Sequence, residues 1–64
     1  MKLKCTMSNA SGVTVGETYD VMTKDPRLSP IIENDFGVFY FLNGINNLSI
    51  VDIGSVIAEF EVVE

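Results

Sequence analysis

Apolar and polar residues alternate at both ends of this chain. Leu3, Cys5 and Met7 interleave with Lys2, Lys4 and Thr6, and Ala58, Phe60 and Val62 interleave with Glu59 and Glu61. Successive side chains of a strand point to opposite faces, so each run predicts a strand with an apolar face turned inward and its charges outside. The outer charges are of opposite sign, which favours pairing of the first strand with the last. That pairing predicts a closed or nearly closed β-domain.

The middle of the chain is punctuated by turn formers. Ser8-Asn9-Ala10-Ser11-Gly12 predicts an exposed loop, after which Val13 and Val15 are expected to re-enter the core. Gly16 leads into a second strand over Glu17 to Thr23, with Tyr19, Val21 and Thr23 on one face and the hydroxyl of Tyr19 at the rim. Lys24 to Pro30 holds two prolines, which cannot donate to a ladder, and reads as a loop or an edge. Ile31 and Ile32 begin a third strand, Asn34-Asp35-Phe36-Gly37 forms a tight bend with a positive φ available at the glycine, and Val38 to Leu42 runs back as a fourth strand. Asn43-Gly44 signals another turn. Ile45 to Val56 shows no clean period; its expected arrangement is a fifth strand over Leu48 to Ile53 and one short 3₁₀ or α turn around Gly54 to Ile57, before the last strand. The prediction is an all-β fold: one domain spanning residues 1–64, a small SH3-like barrel of about five antiparallel strands.

Size and composition sharpen this picture. A chain of 64 residues buries only about 60% of its unfolded surface. Yet 47% of the residues are hydrophobic, more than so small an interior can hide, so an apolar patch at the surface is a candidate contact site. Nine acidic residues against four basic ones give a net charge of −5. That balance opposes direct binding to nucleic acid, which needs clustered Lys or Arg. The carboxylates are dispersed and form no run.

Chemistry is scarce. Cys5 is the single cysteine and the chain has no histidine, so neither a disulfide within the chain, nor a zinc site, nor an activated cysteine nucleophile is expected. Glu33 and Asp35 are the nearest thing to paired carboxylates, and the turn explains them better. No catalytic, metal-binding or cofactor-binding residue is expected, and the chain reads as a non-enzyme. No run reaches the length of a membrane span or the apolar core of a signal peptide, so a soluble, cytoplasmic protein is expected, with the sequons at Asn9 and Asn47 idle.

Three separated segments carry a resemblance. Cys5 followed by Val15-Gly16-Glu17-Thr18-Tyr19-Asp20-Val21, then Asn34-Asp35-Phe36-Gly37, and finally Phe60-Glu61-Val62-Val63 look like short phage and prophage proteins. The resemblance implies a viral accessory protein with an SH3-like barrel, acting in the cytoplasm of a host cell by binding and altering one host protein. It implies no catalytic residue. The apolar stretch between Leu42 and Ile57 is longer than that pattern has.

Candidate contact residues follow from the aromatic run Phe39-Tyr40-Phe41, since adjacent aromatics on opposite faces cannot all enter a one-sided core. Either Val38, Tyr40 and Leu42 face inward and Phe39 and Phe41 form an exposed pair, or the Ile45 to Ile57 segment covers both faces. Exposed aromatic anchors are what interface hot spots are made of. Phe39, Phe41, Ile45, Leu48 and, on the proline loop, Leu28 are the expected partner-binding residues. The expected partner is a host protein, with a homodimer built on the same apolar surface as the alternative.

Overall fold

A computed structural model describes residues 1–43 and 47–63 of the chain. Its strands are β1 (Lys2–Ser8), β2 (Thr18–Met22), β3 (Ile31–Glu33), β4 (Phe39–Phe41), β5 (Ser49–Asp52) and β6 (Ser55–Val62). They form one antiparallel sheet in the order β4-β3-β2-β1-β6-β5. A main-chain bridge between Asn43 and Ser49 brings its two edges together, so the sheet curls into a nearly closed barrel. No α-helix occurs among the described residues.

The ends of the chain pair as their alternation predicts. Leu3 lies opposite Val62, Lys4 opposite Glu61 and Cys5 opposite Phe60. Beyond Cys5 the register shifts by one extra β1 residue, so Met7 faces Glu59 and is only half-buried. A bulge of this kind breaks the strict alternation that the sequence suggested. Val62, also expected inside, is exposed near the end of β6.

The core gathers Leu3, Cys5, Val13, Tyr19, Ile32, Leu42, Ile50, Ala58 and Phe60. Every strand except β4 contributes at least one of these residues, and Tyr40 of β4 packs against them from the side. Tyr19 and Phe60 meet edge to face, with centroids 6.2 Å apart and planes at 85°, the arrangement that aromatic quadrupoles favour. The Cys5 thiol is buried and donates to the Met7 carbonyl. Burial pushes that thiol above its ordinary pKa, as it does for a cysteine packed among apolar side chains.

Three sequence expectations are corrected. The sheet has six strands, not about five, because the irregular stretch supplies a full hairpin arm, β5, beside the closing strand. No 3₁₀ or α turn occupies residues 54 to 57: Ile53 and Gly54 make a two-residue turn and β6 begins at Ser55. Val15 is exposed, since the Glu17 N–H donates to the Thr14 carbonyl and the turn so closed carries Val15 outward.

The Ile53-Gly54 turn is unusual. Both central residues have positive φ, 50° and 75°, as a type I′ hairpin turn requires, and that turn favours Asn-Gly. A β-branched residue there is an outlier. Ile53 is also 97% exposed, so its side chain gains nothing from packing. Ile53→Asn is expected to stabilise the domain by ~1 kcal/mol, raising the melting temperature by several degrees. A lower melting temperature in calorimetry would show that the Ile53 side chain has a stabilising contact.

Candidate interaction surface

The third and fourth strands set the geometry of the candidate surface. Ile31 lies opposite Phe41 and Glu33 opposite Phe39, and directly opposed residues share a face. The turn between the strands is fixed by Asn34, which is buried. Its side-chain carbonyl accepts the N–H groups of Phe36 and Val38, both at 2.9 Å, and its amide donates to the Ser11 carbonyl at 3.2 Å. Gly37 takes φ 81°, the positive value anticipated for it.

Tyr40 and Leu42 turn inward, with Leu42 fully buried and the Tyr40 hydroxyl donating to the Ser11 carbonyl at 3.0 Å. Phe39 and Phe41 are consequently left outside, 47% and 58% exposed. Val38, grouped with the inward set on alternation alone, is exposed because it lies in the turn ahead of β4.

The proline loop folds against this aromatic face. Leu28, Ser29, Lys24 and Asp25 line, with Ile31, Phe39 and Phe41, a groove of about 220 Å³. Ile31 is buried yet stands apart from the main core, so it is the floor of a small satellite cluster outside the barrel. Leu28 remains 57% exposed. The Lys24 ammonium sits 4.6 Å from the centre of the Phe39 ring, a contact worth about 0.5–1 kcal/mol at an exposed site.

Local bonds hold the loop in shape. The Arg27 N–H and guanidinium donate to the Asp25 carboxylate at 3.0 to 3.2 Å, and the Leu28 N–H donates to the Asp25 carbonyl at 2.9 Å. The Arg27 partnership holds the Asp25 carboxyl below its ordinary pKa. A loop ordered by such bonds and two prolines loses little entropy when a partner seats on it.

Of the residues expected to contact a partner, Phe39, Phe41 and Leu28 come together in this groove. Leu48 does not: it is half-buried, packs against the core, and its carbonyl accepts the Phe60 N–H at 2.9 Å. Ile45 lies outside the described residues. Ile53, at the end of the apolar stretch the sequence offers as contact surface, is exposed at one hairpin tip, whereas Phe36, exposed at the tip of the β3–β4 hairpin, was missed. The surplus of apolar residues was the only signal for Phe36.

The motif residues form a cluster of a different kind. The Tyr19 hydroxyl donates to Asp35 at 3.0 Å and accepts the Thr14 N–H at 2.9 Å, while the Thr14 hydroxyl donates to the same carboxylate at 2.7 Å. Burial raises the pKa of Tyr19 above its ordinary value. Tyr19, Asn34 and Asp35 thereby tie the loop after β1 to the β3–β4 turn. No group of three or more potential metal ligands occurs among the described residues, and no helix is long and apolar enough to cross a membrane.

Comparison with protein-family models, with curated proteins and with solved structures finds no match for this chain.

Proposed function

We propose that this protein is a non-catalytic interaction module of the phage-accessory kind, a small SH3-like barrel that binds and inhibits or redirects a host protein in the host cytoplasm. The observation that carries this reading is the pair of phenylalanines held side by side on the outer face of β4, next to an ordered loop that offers Leu28. Solvent-facing aromatics at the rim of an apolar groove are the composition of an interface centre and an unfavourable choice for a surface with no partner. The order β4-β3-β2-β1-β6 also suits an SH3-like barrel, with the β5 arm added at its edge. The resemblance of Tyr19, Asn34 and Asp35 to the phage pattern supports the fold, since those residues brace the barrel.

Self-association through the same face is the second reading. Phe39, Phe41 and Leu28 expose about 300 Å² on each copy, judged from the size of such side chains, whereas a stable complex buries about 800 Å² on each partner. Either reading therefore needs a contact that extends beyond these three side chains.

Phe39→Ser is expected to leave the fold intact, because the ring is half-exposed and lies outside the main core. It should lower partner affinity by at least tenfold, the cost of losing a hot-spot aromatic. A tagged pull-down from bacterial lysate at two salt concentrations, with the variant beside the wild type, reads this directly. Equal capture by both proteins would sink the aromatic groove as the contact surface, and recovery of the protein alone would favour the homodimer.

A further inference from the structure

The barrel is zipped at one end of the β4–β5 junction and open at the other. Asn43 and Ser49 exchange both main-chain bonds, at 2.7 and 3.3 Å. Beyond that pair no ladder joins β4 to β5 among the described residues. On its other side β4 is fully engaged: the Leu42 N–H donates to the Pro30 carbonyl at 2.8 Å, the Asn34 N–H donates to the Val38 carbonyl at 2.7 Å, and Tyr40 lies opposite Ile32.

In an antiparallel ladder alternate residues direct both main-chain groups the same way. Residues 38, 40 and 42 therefore address β3, and residues 39, 41 and 43 address the open side. Asn43 obeys this rule by bonding Ser49. The N–H and C=O groups of Phe39 and Phe41 follow it too, and no ladder pairs them with β5. Beside them lies a cleft of about 480 Å³, lined by Phe39, Tyr40 and Phe41 from β4, by Ile50, Val51 and Asp52 from β5, and also by Asn9, Ala10, Ser11 and Ile57.

The opening has a local cause. Between Ile50 and Val51 the β5–β6 register shifts and β6 carries one extra residue, Ile57. Bulges bend strands and end pairing at the rims of barrels. The shift falls where β5 parts from β4.

We propose that this cleft takes a single extended, basic segment of a partner protein as an added strand on β4. The occupant is one strand because the cleft has a wall on each side. A second copy pairing through its own β4 would bring its β3 along and drive it into β5. The segment is basic by charge complementarity: Asp52 is the one charged residue lining the cleft, on a chain of net charge −5. Main-chain bonds supply the affinity in this mode and alternate side chains supply the choice of sequence. The inference goes beyond the aromatic groove, which uses rings on the outer face of β4, whereas the added strand uses the main chain on its edge.

The test is amide exchange and chemical-shift mapping by NMR, with a blocked hexapeptide of alternating valine and threonine flanked by lysines as the probe. Expected is at least tenfold slower exchange of the Phe39 and Phe41 amides at saturating peptide, with shifts confined to β4 and residues 50–52. N-methylation of alternate peptide residues should abolish both effects. Asp52→Asn should weaken binding about two- to fivefold, the range of an exposed ion pair. No slowing of these amides at about 5 mM peptide, weaker than millimolar affinity, would overturn the proposal, as would equal protection by the N-methylated peptide. Protection that grows with protein concentration in the absence of peptide would overturn it in favour of a second copy. Failure of the peptide while the aromatic groove still captures a host protein would overturn the added strand alone.

Discussion

Phe60→Ala should leave the chain largely unfolded at room temperature. Phe60 is buried in β6 opposite Cys5, meets Tyr19 edge to face, and its N–H donates to the Leu48 carbonyl. Removing such a ring from a packed interior costs about 3–5 kcal/mol in lost transfer energy and residual cavity. A domain of this length has a total stability of about 3–10 kcal/mol, so the loss consumes much or all of it. The cavity has little chance to collapse, because its walls belong to β1, β2 and β6, which are held by ladders on both sides. Thermal melting by circular dichroism checks this, with Glu61→Ala on the exposed face of the same strand as the control. A Phe60→Ala protein that melts cooperatively within a few degrees of the wild type would remove Phe60 from the core.

Gly12→Ala should be the second most damaging change, at about 2–4 kcal/mol. Gly12 has φ 75°, where a side chain brings about 1–2 kcal/mol of strain. The larger part is steric. A Cβ there would stand 2.5 Å from the Asn34 side-chain nitrogen, 2.8 Å from its Cγ and 2.9 Å from a Phe36 ring carbon. Asn34 cannot retreat without releasing its bonds to Ser11, Phe36 and Val38, and a buried amide left unpaired costs about 1–3 kcal/mol. The Gly12 carbonyl also accepts the Asp35 N–H at 2.8 Å, so movement here loosens the β3–β4 turn as well. Gly16→Ala separates the two causes, since Gly16 has φ 92° with no atom within 4 Å of an added Cβ. Urea unfolding should place Gly12→Ala at least 1 kcal/mol below Gly16→Ala; equal midpoints would mean that the Asn34 contact carries no energy.

These two positions differ in how they could be seen beforehand. Phe60 was legible because alternation over Ala58 to Val62 leaves one possible inward set, and the opposite charges of β1 and β6 point to the pairing that buries it. Gly12 looked like one more turn former. Its importance comes from Asn34, 22 residues away in sequence and in contact only after the loop folds onto the β3–β4 turn. The same limit applies to Tyr19 and Asp35, whose bond crosses 16 residues. Local patterns do not encode contacts between two loops.

The candidate surface divides along similar lines. That Phe39, Tyr40 and Phe41 cannot all be buried follows from strand geometry and is visible in three letters. Which face stays outside was open until Leu42 and Tyr40 were seen to turn toward the core. Two prolines suggest that Leu28 is presented on a stiff loop, and only the fold places it beside the rings. Leu48 and Phe41 are equally apolar, yet Leu48, just ahead of β5, packs against the core, with its carbonyl held by the Phe60 N–H.

Alternation at the two ends and prolines and glycines at the turns were enough to establish an all-β domain that joins its first strand to its last. Those features are local, and each acts on the backbone within a few residues. Tertiary structure decided the bulges at Thr6 and Ile57, the open side between β4 and β5, and the exposure of Phe39 and Phe41. A bulge arises when a strand must satisfy two neighbours at once, and exposure depends on which segments remain to cover a face, so neither is a property of the residues concerned.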